Sequence, residues 1–200
     1  MMRPIASLAL MAASLVATPA FAQSTSDPVP TATFPVTGEV PDLCILGDPR
    51  IDGSNASINI ASINGRVIRI DTLTDPISLT TRGTEANLAF DAVCNHAYSV
   101  SIESRNNGLW RQSVDAPVPA GFANAVPYLA SIAWNEKAAE LDADARTRSP
   151  KAAGFTSLVA NSGTLSLKLR ILPGTTNILA NAPLLAGDYG DIITVTLGPQ

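Results

Sequence analysis

Histidine is nearly missing from this chain: His96 is the only one in 200 residues. Zinc asks for about four ligands, and one histidine with two cysteines does not supply them. A Ser-His-Asp arrangement would have to use His96, which sits two residues after Cys94 between two expected strands, where a solvent-facing turn residue is the simpler reading. Cations are also scarce, with 13 Lys and Arg against 17 Asp and Glu. Nucleic acid and anionic lipid both require clustered positive charge, so neither is an expected partner. No G-x-S-x-G, H-E-x-x-H, C-x-x-C or phosphate-cradling glycine loop occurs. The pair Asp142 and Asp144 lies in a polar connection without the further ligands a calcium loop brings. Beyond the first 22 residues no run approaches the roughly 18–20 apolar residues that a membrane-crossing helix needs. These absences point away from an enzyme, a cofactor and a membrane-spanning chain.

What is present begins with an export signal. Arg3 precedes an apolar run from Ile5 to Ala17, broken only by Ser7 and Ser14, and Thr18-Pro19-Ala20-Phe21-Ala22 follows as a small-x-small cleavage site. Cleavage after Ala22 leaves 178 of the 200 residues, and without Arg3 the formal charge becomes −5. Export implies an oxidising compartment, the periplasm and then the cell surface or medium. There the two cysteines, Cys44 and Cys94, read first as a disulfide rather than as a metal pair or catalytic thiol.

Residues 23–30 are mostly Ser, Thr, Asp and Pro without apolar periodicity, a flexible lead. From Ala32 the chain alternates: Ala32, Phe34, Val36, Gly38 and Val40 share one face. Pro35 lacks an amide donor, so this strand must sit at an edge or leave that position unpaired. Alternation alone fits equally a first strand of the chain's own sandwich and a strand given to another sheet. Runs at 58–63 and 67–73 flank Asn64-Gly65, a hairpin signal. Further alternating faces are Leu88, Phe90, Ala92 and Cys94; Tyr98, Val100 and Ile102; and Tyr128, Ala130, Ile132 and Trp134. Two more are Leu165, Leu167, Leu169 and Ile171, and finally Ile193, Val195 and Leu197. The stretch Asn135–Arg148 contains Glu, Lys, Ala and Leu, whose propensities predict one or two helical turns. Seven or more short strands indicate an all-β sandwich or barrel. Trp134 ends an alternating face and reads as core, and Trp110 beside a turn is the less committed aromatic.

Several of these segments together resemble a known family. Cys94-Asn95-His96-Ala97-Tyr98-Ser99-Val100-Ser101-Ile102-Glu103-Ser104, followed by Asn107-Gly108-Leu109, is similar to the segment after the second cysteine of spore coat protein U domains. The ending Ala186-Gly187-Asp188-Tyr189-Gly190-Asp191-Ile192-Ile193-Thr194-Val195-Thr196-Leu197 resembles that family's final strand, where a Gly-x-Tyr-x-Asp turn leads into alternating Thr and Val. The block from Val126-Pro127-Tyr128 to Trp134 is similar as well, and the polar stretch Asn135–Lys151 has no match.

The family includes subunits of archaic chaperone–usher pili. The resemblance therefore implies an immunoglobulin-like, pilin-like sandwich that lacks its last strand and is completed by donor-strand exchange. Its implied partners are a periplasmic pilus chaperone, an outer-membrane usher and other pilin subunits, and no cofactor is implied. The expected organisation is a signal peptide at 1–22, an N-terminal extension at 23–41 and the sandwich domain at 42–200. Ala32, Phe34, Val36, Gly38 and Val40 would be the donated set, and Ile193, Val195 and Leu197 part of the receiving edge. A self-complete secreted binding module, or a spore-coat-like surface protein, is the competing expectation.

Overall fold

The computed structural model describes residues 32–52, 57–113 and 117–200. Two units are distinguished, Met1–Glu39 and Val40–Gln200. The expected signal peptide and the lead segment after it lie outside the described residues. In the first unit, residues 32–39 carry no strand, and Phe34 and Val36 are 81% and 95% exposed. Alternation gave this segment an apolar face but no ladder, and a lone strand without a partner has nothing to fix its backbone.

The second unit is all-β among its described residues. Its strands are β1 (Cys44–Leu46), β2 (Arg50–Ile51), β3 (Ile60–Asn64), β4 (Val67–Ile70), β5 (Thr84–Cys94), β6 (Tyr98–Ser104) and β7 (Leu109–Arg111). They continue as β8 (Ala125–Val126), β9 (Tyr128–Trp134), β10 (Lys137–Ala143), β11 (Lys151–Ser157), β12 (Asn161–Ile171), β13 (Tyr189–Gly190) and β14 (Ile193–Pro199). The largest sheet runs β1-β5-β12-β9-β10, with β2 also on β5; β11-β6-β14 forms a second, β13-β7-β8 a third, and β3-β4 a hairpin. Every ladder between these strands is antiparallel.

The two larger sheets share one core, which gives the unit its sandwich-like character. Leu88 and Phe90 of β5, Ile132 and Trp134 of β9, and Leu165, Leu167 and Leu169 of β12 meet Val100 and Ile102 of β6 there. Strict alternation explains β12: Leu165, Leu167, Leu169 and Ile171 are all buried, while Lys168 and Arg170 between them are not. The rings of Tyr98 and Trp134 pack with centroids 4.6 Å apart. Cys44 and Cys94 lie directly opposite each other on β1 and β5 and form a disulfide, Cα to Cα 4.2 Å. The bond closes a separation of 50 residues, a constraint on the unfolded chain of about 4 kcal/mol on the loop-entropy account.

Two sequence expectations are corrected. Asn135–Arg148 forms no helix; it contributes β10, joined to β9 by a two-residue turn at Asn135-Glu136 in which Asn135 takes φ 54. Leu141 and Ala143 of β10 are buried and Ala139 partly so. Burying one leucine is worth about 1.5–3 kcal/mol, whereas propensity differences are a few tenths of a kcal/mol per residue, so packing decides. The first hairpin forms where expected, but its turn is Gly65-Arg66, with Asn64 paired to Val67 inside the ladder. Gly65 takes φ 55, the left-handed conformation that glycine-first hairpin loops require.

Candidate functional site: a half-covered strand edge and a carboxylate-tied turn cluster

β14 is the outermost strand of its sheet and pairs only with β6 among the described residues. Its inward side chains, Ile193, Val195 and Leu197, pack against the core yet are only half-buried. The residues opposite them on β6, Ser104, Ile102 and Val100, are buried completely. The contrast has a simple cause: β6 is flanked by β11 and β14, whereas β14 has a neighbour on one side. β1 comes within 8 Å of β14, Cα to Cα, but no ladder joins them. An unpaired edge with its inward residues half-covered is a template for another strand. Val40, the last residue of the alternating N-terminal set, is 80% exposed, like Phe34 and Val36 before it.

β14 is launched by a carboxylate. Asp191 accepts hydrogen bonds from Ser104 Oγ at 2.5 Å, Tyr128 OH at 2.7 Å and Gly108 N at 3.4 Å on Oδ2. On Oδ1 it accepts from Ile192 N at 2.7 Å, Asn106 N at 3.0 Å and Asn106 Nδ2 at 3.1 Å. One side chain thereby ties the end of β6, the turn to β7, the start of β9 and the start of β14. Burial pushes the Tyr128 phenol far above its ordinary range; the bond with Ser104 opposes this and the charge on Asp191 adds to it. Tyr189 donates to Leu185 O at 2.8 Å and fixes the loop before the cluster.

The Asn107-Gly108 turn is equally constrained. Asn107 is buried with φ 54, donates to Asp144 Oδ1 at 2.7 Å and accepts from Asp144 N at 3.1 Å. Gly108 has φ 141, and a Cβ there would come 2.6 Å from Ala145 Cβ. Asp144 is thus a turn organiser. Its carboxyl is held below the usual range, chiefly by the Arg146 amide, with Asn107 and Lys151 acting in the same direction. Asp142 is exposed on β10. No group of three or more metal-ligating side chains occurs among the described residues.

The sequence reads Trp134 as core and leaves Trp110 less committed. Trp110 Nε1 donates to Asn106 O at 2.6 Å, so the indole closes the same turn. Trp134 is core. His96 Nε2 lies 3.7 Å from Cys44 Sγ and its Nδ1 faces Ala97 O. Beside Asp191 an open depression of about 350 Å³ is lined by Arg105, Gln112 and Arg148. The structure brings Ile193, Val195 and Leu197 together on one face, as their spacing required. What the sequence did not disclose was the hub: Gly-x-Tyr-x-Asp was visible as a pattern, but apart from the adjacent Ile192 the partners of Asp191 lie 63 to 87 residues away.

Comparison with protein-family models, curated proteins and solved structures finds no match to this chain. Fold and site define its class: an all-β, sandwich-like domain with one disulfide and a half-covered terminal strand. No helix of the described residues is long and apolar enough to cross a membrane.

Proposed function

We propose that this protein is a structural, non-catalytic subunit of a surface pilus, exported and assembled by a chaperone and usher through donor-strand complementation. On this reading the domain is an immunoglobulin-like sandwich short of one strand. The observation that carries it is the β14 edge, where Ile193, Val195 and Leu197 stay half-buried and the outer side has no ladder among the described residues. Support from the other side of the exchange is the alternating set Ala32, Phe34, Val36, Gly38 and Val40, whose large apolar members are exposed in the single chain. The resemblance to spore coat protein U domains includes the segment 186–197 that forms this edge.

A self-complete secreted binding module is the second reading, and the approach of β1 to β14 is what favours it. Strands flanking an inserted third strand stand about 9.6 Å apart, more than the 8 Å within which these two come. Receiving a strand there has to widen the gap at its narrowest point. A synthetic peptide of residues 31–41 added to mature protein carrying Val36→Asp separates the readings. Donation predicts that the variant stays monomeric, still binds the wild-type peptide and gains protection of the β14 amides in hydrogen exchange. A variant that assembles like the wild type, or β14 amides unmoved by the peptide, defeats the pilus reading.

A further inference from the structure

The body Val40–Gln200 exposes apolar side chains at both ends of its central strands. At the end where β12 finishes and β5 begins, the loops 75–81, 117–124 and 172–185 meet. Backbone bonds tie them: Leu184 N to Leu79 O at 3.0 Å, Gly174 N to Thr81 O at 2.8 Å and Ala123 N to Pro183 O at 2.9 Å. Ile77 (92% exposed), Leu179 (73%), Leu79, Ile178 and Phe122 face outward there. Asp75 is the only ionisable side chain in the three loops. Its carboxylate is turned onto its own loop, accepting from Ile77 N at 3.0 Å and Ser78 N at 2.9 Å. Leu79 holds φ 56, a left-handed backbone that a residue with a Cβ rarely adopts, fixed by its amide on Asp75 O at 2.9 Å. At Ile178 the face borders Arg146 and Arg170, and a preorganised apolar centre with charge at its rim has the character of an interface rather than of ordinary surface.

The opposite end is marked by the disulfide. Leu43 precedes β1, and Leu158 and Val159 occupy the connection from β11 to β12, at 81% and 72% exposure. Asp42, Glu136 and Lys137 stand nearby in sequence or register, a rim of both signs.

We propose that these two ends dock on each other between successive copies of this chain, loop end of one against disulfide end of the next. The inference rests on the donor-strand reading and adds a second contact to it. β14 runs from Ile193, paired with Ser104, to Pro199, paired with Tyr98, that is from the loop end to the disulfide end. A donated strand that is antiparallel, like every ladder in the body, lies with its Val40 beside Ile193. From Val40 to Cys44 the chain spans at most about 14 Å. The donor's own body therefore begins at the recipient's loop end, with its disulfide end leading. Different patches meet at each joint, so the contact is heterologous and repeats without closing.

Carbodiimide coupling tests the joint, because it links an amine to a carboxylate only when they touch. The full-length chain carrying Leu158→Lys with Leu179→Glu is expressed, and sedimented surface material is treated and digested. An intermolecular amide between positions 158 and 179 is expected, and it should vanish when Leu158→Glu replaces Leu158→Lys. Assembly that depends on the arm but yields no coupled peptide overturns the end-to-end contact and leaves strand donation standing. Coupling that persists with Val36→Asp keeps the contact and removes strand donation. No assembly by the wild-type chain in its native cells, where its assembly machinery is present, removes both.

Discussion

The centre of the domain and its β14 side are built from the same kind of sequence, yet they are covered to different degrees. β12 lies between β5 and β9, and its inward leucines are sealed. β14 alternates Ile, Val and Leu with Thr just as regularly, but its inward residues stay half-exposed. Pattern alone would rank the two strands alike; what separates them is the number of neighbours. Completeness of a sheet is therefore a property of the whole arrangement, and a partner supplied from elsewhere is one way to equalise the two regions.

The comparison can be broken in four ways. The largest effect is expected from Cys94→Ser, about 4 kcal/mol on the loop-entropy account, read by urea unfolding without reductant. It frees β1, the strand nearest the β14 side, so unchanged stability would show that β1 is held by packing alone. Next, Leu165→Ala should cost about 2–5 kcal/mol through lost burial and a cavity. The matching change Val195→Ala should cost about 1 kcal/mol or less in the isolated chain, because much of that side chain already meets water. Equal losses at the two sites would erase the distinction between sealed centre and open edge.

Asp191→Asn is expected to cost about 1–3 kcal/mol, since an amide nitrogen replaces an acceptor facing Tyr128 or Asn106. Hydrogen exchange should locate the loss at the start of β14 and the 104–108 turn rather than in β12. The smallest effect concerns alkali. The folded-state pKa of Tyr128 is raised above its ordinary value of 10.0, so its contribution is complete below about pH 10 and is lost at higher pH, where the unfolded chain releases the proton more readily. Tyr128→Phe should flatten that alkaline limb of the stability profile.

Much of this was legible beforehand. β5, β6, β9, β12 and β14 were predicted from period-two alternation, because a strand with one buried face must write that face into every second residue. The disulfide followed from the cysteine count and the expectation of export. Several features stayed hidden for physical reasons. β10 carries helix-forming residues and becomes a strand only because β9 offers a ladder and the core takes Leu141. β11 has only Ala153 and Phe155 as an apolar cue. The Asp191 cluster joins residues far apart in the chain, and a lone Asp beside a Gly and a Tyr does not name its donors.

The sequence by itself determined which residues alternate, where the chain turns and which two sulfurs are available to bond, since these depend on neighbours along the backbone. Only the tertiary structure decided which edge strand keeps its inward residues half-covered, which carboxylate ties four segments together and which apolar residues remain at the ends. Those properties depend on what is absent or present across space, and covalent order does not specify them.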